Sequence, residues 1–195
     1  MRANIAATKA NFLKTKKTLA LTEEGHALLD EKRRLLINEL TAILHIVDKF
    51  QKDVDIALAR AYALFDKALI VTGRRKLEEL SYAIDIKTDI TIFHERVMGV
   101  NMPRIELNIA EKAPYFSPIG VSVHVDEAIS GFKELPQLLA QLAEKKIALL
   151  RVAREVQKTV RKVNALEKIH LPFYRETLKY IAKGWTKKAG MPFRC

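Results

Sequence analysis

An apolar stripe between Leu36 and Ala68 constrains this fold more than any other feature of the sequence. Apolar residues recur there at alternating steps of four and three over ten consecutive positions, with no Pro or Gly among them. A repeat of this length predicts a left-handed coiled coil rather than an ordinary surface helix. One helix cannot bury such a stripe alone, so a second helix must cover it. We call these positions the first seam: Leu36, Leu40, Ile43, Val47, Phe50, Val54, Ala57, Ala61, Leu64 and Ala68.

A second stripe with the same spacing follows in the C-terminal third of the chain. Eight of its ten positions are apolar, and the exceptions are Lys145 and Thr159. Because the chain must return between the two stripes, the sequence predicts an antiparallel pair of long helices. We call these positions the second seam: Leu135, Leu138, Leu142, Lys145, Leu149, Val152, Val156, Thr159, Val163 and Leu166.

Aligning the two seams predicts a register for the pair. The numbers of facing residues then add up to about 203, and small residues of one seam face large residues of the other. Pro172 lacks a backbone donor and should kink the second helix where both seams lapse. This register gives the facing pairs Ala61–Leu142, Ala57–Lys145 and Arg33–His170.

The ends of the first helix are also marked in the sequence. Thr8 is a suitable N-cap, with Asn11 three residues later in place of the Glu of a full capping box. The cations Arg74, Arg75 and Lys76 suit the C-terminal end of a helix dipole. We therefore expect the first helix to run from about residue 8 to 76.

The insert between the helices shows a different period. Apolar residues alternate with polar ones in three runs, which Pro and Gly separate, and this alternation predicts short strands. The adjacent aromatics Tyr115 and Phe116 are expected to pack a minor core of the insert rather than to bind a ligand. The alternating runs are Ile84, Ile86, Ile90 and Ile92, then Ile105, Leu107 and Ile109, then Val121, Val123 and Val125.

These patterns predict a mainly α fold, a long antiparallel two-helix coiled coil with a small β-containing insert between the helices. The predicted divisions are an N-terminal coiled-coil helix over 1–76, a central insert of short strands and loops over 77–128, and a C-terminal coiled-coil helix and tail over 129–195.

Charge and composition limit the class of protein. The net charge is +11, and residues 145–195 hold fourteen basic residues against three acidic ones. This excess fits a basic face against an acidic protein partner, or a nucleic-acid binder. No run reaches the roughly 18 uncharged apolar residues of a membrane span, so we expect no membrane insertion. The basic start lacks an apolar signal region, and Cys195 is the single cysteine, which together favour a cytoplasmic location.

The sequence offers no pattern for catalysis. Neither GxxxxGK[ST] nor GxGxxG occurs, and the five histidines lack partners at metal-ligand spacing. His45 lies beside the first seam and is expected on the helix surface. Ser117 and Ser122 lack a nucleophile elbow, and Glu78–Glu79 is expected to be a solvated helix end. We therefore expect a scaffold or shaft with no catalytic residue, cofactor or metal.

Four stretches carry a resemblance to a known family. RKVNALEKIHLPFYRETLKYI at 161–181 strongly resembles the D subunit of V/A-type ATPases, the central rotor stalk of these machines. Residues 25–36 resemble the Gly-His-x-Leu-Leu segment of that family, and residues 96–107 and 115–122 resemble two stretches of its central insert. The four matches follow the family's order and extend over most of the chain.

The resemblance implies a role and a set of partners. In this family the helix pair lies inside a hexamer of catalytic A and B subunits and rotates as ATP is hydrolysed or made. It also binds the small F subunit and the funnel-shaped subunit (C/d) above the membrane ring, as a peripheral, cytoplasmic, non-catalytic subunit that binds no nucleic acid. The basic outer face near the C-terminal end would then lie against the A/B hexamer. Its candidate contact residues are Arg154, Lys158, Arg161, Lys162, Asn164 and Glu167.

The C-terminal tail departs from the family pattern. After LKYI the chain reads AKGWTKKAGMPFRC, and Gly184, Gly190 and Pro192 are poor helix formers. We therefore expect no firm helix from Gly184 onward. Two other classes remain open on the residues alone, a free-standing basic coiled-coil adaptor or nucleic-acid binder and a periplasmic chaperone-like helical hairpin, which the missing signal region disfavours.

Overall fold

Long helices with one β-hairpin between them build the described chain. The computed structural model describes residues 5–111, 114–117 and 119–189. The predicted fold class, mainly α with a small β-containing insert between long helices, is confirmed. The elements in order are α1 (Lys9–Thr72), α2 (Arg74–Ser81), β1 (Ile86–Val97), β2 (Val100–Glu111), α3 (Val123–Ala165), a π-helical turn (Leu166–His170) and α4 (Leu171–Ala189).

The chain divides into two compact units. The end unit holds the residues up to Asn38 and those from Arg154 onward, and the middle unit holds Glu39–Ala153. In the middle unit, Lys146 donates a hydrogen bond to Gln51, and Gly131 lies against Ala61. As the residue numbers increase along α1, the numbers of the facing residues on α3 decrease. The two helices are therefore antiparallel within that unit.

The end unit has the same arrangement. Arg175 of α4 forms an ion pair with Glu23 of α1 at 2.8 Å, and Glu155 of α3 pairs with Lys32 at 3.3 Å. Glu23, the earlier of the two α1 residues, pairs with the later residue Arg175, and Lys32 pairs with the earlier residue Glu155. The antiparallel helix pair predicted from the two seams is thus present in each unit.

The predicted start of α1 is confirmed. The Thr8 hydroxyl accepts a hydrogen bond from the backbone N–H of Asn11 at 3.3 Å, which satisfies one of the free donors of the first turn. The Asn11 amide donates to the Ala6 carbonyl at 2.9 Å, so this side chain holds the chain before the helix as well.

The predicted end of α1 was wrong. The helix ends at Thr72, because Gly73 adopts a φ of 80°, a left-handed conformation that glycine reaches without steric cost. Arg74, Arg75 and Lys76 therefore begin α2 and do not complement the C-terminal dipole of α1. A single glycine at positive φ is enough to separate the two helices.

Two of the three predicted strand runs are confirmed. β1 and β2 pair in antiparallel fashion over twelve residues each, from Ile86 opposite Glu111 to Val97 opposite Val100. Met98 and Gly99 form the two-residue turn with φ of 52° and 81°. Positive φ at both positions is the backbone of a type I′ turn, whose twist matches that of the strands.

The third run, Val121, Val123 and Val125, was wrongly predicted as a strand. α3 begins at Val123, and the Ser122 carbonyl accepts a hydrogen bond from the Val125 N–H at 3.0 Å. Val125 and Ala128 are both buried, a helical step of three that the period-two pattern concealed. Burial against the other helices of the middle unit therefore selects the helical period over the strand period of two.

A small apolar core joins α1, α2 and α3 in the middle unit. Ala68, Val125 and Ala128 are its buried centre, and Phe116 packs against them from the loop before α3. Phe116 is thus a packing residue, as expected, but the core it packs includes α1 and is not a separate core of the insert. The same core includes the partly buried Leu64, Leu77, Leu80, Val121 and Ile129.

The predicted register was wrong in the middle unit. A Cβ built on Gly131 would lie 3.4 Å from the Cα of Ala61, so these two residues face each other and their numbers add up to 192. The pair Ala61–Leu142, expected from a sum of about 203, belongs to a different alignment. The two registers differ by a shift of one heptad plus four residues. Such a shift again places the apolar positions of α3 opposite the apolar positions of α1. The seams alone could not distinguish them.

The expected loss of helix at Gly184 was also wrong, because α4 continues to Ala189. A Cβ on Gly184 would lie only 2.9 Å from the Cβ of Ala7. Glycine at this position permits the close approach of two segments of the end unit and does not end the helix. Gly190 and Pro192, the other two residues of that argument, lie outside the described residues.

Candidate partner-binding surfaces

The seam residues form the inner face of the helix pair rather than an outer surface. Twelve residues define the two seams most strongly. Seven of these residues are buried, namely Leu36, Ile43, Val47, Val54, Leu142, Val152 and Val163. The other five are half-buried, namely Leu40, Phe50, Leu64, Leu149 and Val156.

A basic face lies on the outer side of α3 in the end unit. Arg154, Lys158, Arg161 and Lys162 are all exposed, whereas Val163 on the inner side is 1% exposed. This separation follows the helical period, since the inward and outward residues alternate within each turn. The outer face therefore presents four cations to solvent.

Glu155 links this basic face to α1. Its carboxylate lies 3.3 Å from Lys32 Nζ and 4.0 Å from Lys158 Nζ. Lys158 thus has a carboxylate nearby, while sequence reasoning had treated all four cations alike. Asn164 is half-buried, so of the two polar candidates Glu167 is the more accessible.

A π-helical turn interrupts the regular helix beyond this face. The Leu171 N–H donates to the Leu166 carbonyl, five residues back rather than four. Val163 and Leu171 are both buried and are eight residues apart, whereas two α-helical turns take about 7 residues. The wider turn takes up the extra residue and returns Leu171 to the inner face.

The π turn coincides with the most recognisable part of the sequence. Its five residues, LEKIH, lie within the 161–181 stretch and directly before Leu171 and Pro172. A disturbance of the helix near Pro172 was expected, and the interruption of α-helical hydrogen bonding is found there. The eight-residue step between inner-face positions was the signal that could have predicted a π turn rather than a simple kink.

Aromatic side chains lie at the end of the π turn and in the first turn of α4. His170 stacks on Tyr174 with ring centroids 6.5 Å apart, and Phe173 meets Tyr174 edge-to-face at 5.5 Å. Ile169 is 63% exposed beside them. Cations and aromatic rings together are common at protein interfaces. The candidate surface therefore extends from α3 through the π turn into α4.

Polar contacts fix the β-hairpin to α3 in the middle unit. The Ile105 N–H donates to Glu144 Oε2 at 3.0 Å, and the Arg151 guanidinium donates to the Asn101 carbonyl at 2.8 Å. Both contacts capture backbone groups on the outer edge of β2, which would otherwise be unpaired. Sequence reasoning missed these side chains, because nothing local marks a charged side chain that bonds to backbone groups 39 or 50 residues away.

The charge on Glu144 is stabilised in this position. Burial alone would raise the pKa of its carboxyl group, but the Lys145 ammonium at 2.7 Å and the Ile105 N–H favour the ionised form. Their combined effect, with a smaller one from Arg104, holds the pKa of Glu144 below its usual value.

A second polar cluster lies at the base of the hairpin. Lys133 Nζ lies 2.8 Å from Glu111 and 5.1 Å from the centre of the Tyr115 ring, and the Tyr115 hydroxyl donates to Glu111 at 2.9 Å. The bond with Lys133 lowers the pKa of Glu111, and the same bond raises the pKa of Lys133. Tyr115 thus joins the hairpin to α3, while its neighbour Phe116 packs in the core.

An apolar cavity of about 280 Å³ lies where the elements of the middle unit meet. Phe65 and Phe132, which pack edge-to-face, line it together with Ile86 and Ile109 from the hairpin. Its lining carries few polar groups, so it lacks the convergent donors and acceptors of a typical substrate site.

The described residues contain no group of three His, Cys, Asp or Glu side chains that could hold a metal ion. His45 is exposed on α1, and His124 lies 3.1 Å from Glu127 on the first turn of α3. The surfaces described above are suited to binding proteins through charge and apolar contact.

Comparison with known proteins decides the family. A profile described as the D subunit of ATP synthase matches residues 11–183, from the first turn of α1 into the last part of α4. The chain belongs to the ATP synthase D-subunit family. The matched residues include the whole hairpin and the π turn.

Individual relatives agree with this assignment. The A-type ATP synthase D subunit of Thermococcus sibiricus is 34% identical over 179 residues, which cover 90% of this chain and 84% of the relative. The A-type D subunit of Pyrococcus abyssi is 33% identical over 180 residues, with 91% and 84% covered. The V-type ATP synthase D subunit of Thermotoga neapolitana is 30% identical over 178 residues, with 91% and 88% covered. The family resemblance inferred from the four sequence stretches is confirmed.

As an ATP synthase D subunit, the chain is one component of a larger complex. Among its described residues, no helix combines the length and the apolar composition that crossing a bilayer requires.

Proposed function

We propose that this D subunit is the central rotor shaft of a V/A-type ATPase. In this role it transmits torque between ATP hydrolysis or synthesis in the A/B hexamer and ion translocation by the membrane ring. Membership of the ATP synthase D-subunit family supports a place in such a complex. The finer role rests on the surfaces of the helix pair.

The observation that carries the proposal is the separation of the two faces of α3. Val163 is buried on the inner face of α3, while its neighbours Arg161 and Lys162 are exposed. A shaft needs a firm inner face that transmits force and an outer face that the hexamer can distinguish at each angle. Charges suit the outer face because they act at a distance. In physiological salt their range is the Debye length, about 8 Å. Tight apolar contacts would hold one orientation too firmly.

The proposal includes a set of partners. The basic face of the end unit contacts the A and B subunits, and the F subunit and the funnel-shaped C/d subunit bind other parts of the chain. The D subunit lies on the cytoplasmic side and takes no catalytic part. Each nucleotide state of the hexamer would favour one orientation of the shaft through differential contact, which is how binding energy becomes rotation.

Reconstitution tests this function directly. The purified chain is combined with A and B subunits of the same organism, and a bead on an exposed engineered cysteine reports ATP-driven rotation. We expect stepwise rotation with the chain present and none without it. A chain that assembles with neither A nor B subunits, or that assembles and never turns, would contradict the proposal.

A nucleic-acid-binding role is the second candidate, because residues 145–195 hold fourteen basic residues against three acidic ones. Such a role predicts affinity for DNA or RNA that falls steeply with salt concentration. Gel-shift assays across a range of salt concentrations would favour it only if binding survived at physiological salt while A/B assembly failed.

A further inference from the structure

The apolar cavity of the middle unit is large enough for a small organic molecule. Its walls come from α1, α2, α3 and both strands of the hairpin, and they include Phe65, Leu80, Ile86, Ile109 and Phe132. Phe65 is 38% exposed and Ile86 is 36% exposed, so solvent reaches the cavity on that side. The volume of about 280 Å³ is close to twice the roughly 150 Å³ of an apolar cavity that binds benzene. By this comparison, the cavity holds a molecule of about ten carbon atoms.

Aromatic side chains favour a flat, rigid ligand. The Phe132 ring packs edge-to-face against Phe65, with centroids 6.1 Å apart, and against Tyr62, with centroids 5.7 Å apart. A ligand with aromatic rings can extend this cluster through the same kind of contact. A flexible acyl chain would lose more conformational freedom on binding, so it suits the cavity less well.

One ammonium group lies in the wall of this apolar cavity. Lys133 lines the cavity, and its Nζ lies 2.8 Å from the Glu111 carboxylate. An ammonium has three donors and Glu111 takes one of them, so Lys133 can also donate to an acceptor on a ligand. Glu111 already balances the charge and would repel a second anion, so a neutral oxygen suits this position best.

The backbone carbonyl of Phe132, next to Lys133 in the sequence, lacks its usual helical partner. Pro136 lies inside α3 four residues later and has no N–H to donate. Both Phe132 and Pro136 line the cavity. A hydroxyl group suits this wall, because it can accept from an ammonium and donate to a carbonyl at the same time.

We propose that this cavity is a binding site for a neutral aromatic alcohol of about ten carbon atoms. Its hydroxyl group accepts a hydrogen bond from Lys133 and donates one to the Phe132 carbonyl, while its rings fill the apolar space. Because the ligand contacts Ile86 and Ile109 as well as the helices, it stabilises the attachment of the hairpin. This site is independent of the rotor role, so either proposal can fail alone.

An aromatic side chain of a partner protein is the alternative occupant. A single ring has about the size of benzene and would fill only about half of the volume. The remaining void would leave part of the apolar lining without contacts, which weakens the interaction. A two-ring molecule fits the volume better, and the experiment below distinguishes the two occupants.

The experiment measures binding of 2-naphthol to the full chain by calorimetry and by NMR of labelled isoleucine methyl groups. We expect saturable binding that shifts the methyl signals of the isoleucines lining the cavity. Ile43 and Ile181 are buried but do not line it, so their signals should stay in place. The lining isoleucines are Ile84, Ile86, Ile109 and Ile129.

Two related compounds test the polar wall. Naphthalene lacks the hydroxyl group, and 2-naphthoate replaces it with an anion. We expect 2-naphthol to bind about threefold or more tighter than either, because only the alcohol makes both hydrogen bonds without added charge. In Lys133→Met the advantage of 2-naphthol over naphthalene should narrow.

A variant that fills the cavity tests the location. Ala128 is buried in the cavity wall, so Ala128→Leu should weaken 2-naphthol binding about tenfold or more. The matched control is Ala63→Leu, the same change at an exposed position of α1 outside the cavity. It should bind as the wild type does. Circular dichroism checks helical content, and Ile109→Trp, which fills the cavity from the hairpin, replaces Ala128→Leu if that variant does not fold.

Several results would overturn the inference. They are the absence of saturable 2-naphthol binding, binding that leaves the lining methyl signals unchanged, and tighter binding of 2-naphthoate than of 2-naphthol. A folded cavity-filling variant that binds as the wild type does would overturn it as well. So would loss of 2-naphthol binding when a saturating F or funnel-shaped subunit is added, because the cavity would then hold a side chain of that partner.

Discussion

Gly131 and Ala61 are in direct contact across the helix pair of the middle unit, and a Cβ built on Gly131 would lie 3.6 Å from the Cβ of Ala61. Glycine opposite alanine allows two helices to approach closely. This close contact fixes which turns of α1 and α3 face each other, a choice that the repeating apolar pattern leaves open.

The Gly131–Ala61 contact predicts an efficient crosslink. The distance of 3.6 Å lies within the 3.5–4.5 Å range of Cβ separations in disulfides. In a Cys195→Ser background, the double variant Ala61→Cys/Gly131→Cys should oxidise within one chain. Mass spectrometry after digestion without reductant would identify the linked peptides.

The control for this crosslink is Ala61→Cys/Leu142→Cys, the pair expected from the register that aligns the seams. It should remain reduced under the same mild oxidation, because its Cα atoms should be too far apart. Efficient linkage of Ala61 to Leu142, with none to Gly131, would restore the register predicted from sequence.

Substitutions at two helical glycines should have opposite effects on stability. Gly131→Val should destabilise the chain by about 1–3 kcal/mol, because even a Cβ there would lie 3.2 Å from Leu64 Cδ1, and two further methyl groups would crowd α1. Gly25→Ala should instead stabilise by about 0.5–1 kcal/mol, since nothing lies within 4 Å of a Cβ there. Urea unfolding followed by circular dichroism measures both, and equal changes for the two variants would argue against the contact.

The fold was predictable to the extent that periodicity determines it. The first seam predicted which face of α1 is buried, because a heptad pattern reports burial on one side of a helix. Gly73 and Gly184 have different roles, since one ends a helix at positive φ and the other permits a close approach within a helix. Sequence alone does not distinguish these uses of glycine, because the difference lies in the neighbouring segment.

Truncation of seam residues should cost stability in proportion to burial. Leu142 is 6% exposed, so Leu142→Ala should cost about 2–5 kcal/mol. Leu150 on the same helix is 58% exposed and should cost less than about 1 kcal/mol. Phe50 is half-buried, so Phe50→Ala should fall below the roughly 3–5 kcal/mol of a fully enclosed Phe. Chemical denaturation would rank the three, and a loss at Leu150 equal to that at Leu142 would contradict the assigned faces.

The attachment of β2 should depend on pH through Glu144. Its pKa is lowered in the folded chain, so its contribution to stability is present above the unfolded pKa of about 4.3 and is lost as pH falls through the folded value. Glu144→Gln removes the charge, and the difference in protection between wild type and variant should therefore shrink as pH falls from about 6 to about 3. Hydrogen exchange at the Ile105 amide reports this contact, whose distance is 3.0 Å.

Glu106→Gln on the same strand provides the control, because Glu106 is exposed. Exchange at Ile105 should be unaffected by this change at any pH. If Glu144→Gln and Glu106→Gln behaved alike, the hydrogen bond to Ile105 would not be what holds the hairpin.

The candidate surfaces were less predictable than the fold. Arg161 and Lys162 could be assigned to an outer face from helical spacing, since their neighbour Val163 continues the seam. The junction of α2 with the loop before α3 could not, because it depends on Gly73 separating two helices and on Lys76 donating to the Gly120 carbonyl. Long-range contacts of this kind have no local signature in a single sequence.

The basic outer face of α3 leads to the last prediction, on torque. Arg154→Glu, Arg161→Glu and Lys162→Glu together should weaken assembly with A and B subunits or stop rotation, because they invert the charge that the hexamer would recognise. Lys158 is left unchanged, since it lies near Glu155 and its reversal could disturb the fold. Arg154→Lys with Arg161→Lys keeps the charge and should rotate normally.

Removing residues 190–195 should cost much less than the reversals, whereas removing residues from 184 onward also deletes the contact between Gly184 and Ala7. Rotation and ATPase assays on reconstituted complexes distinguish these variants, and full rotation of the triple reversal would mean that torque passes through another part of the shaft.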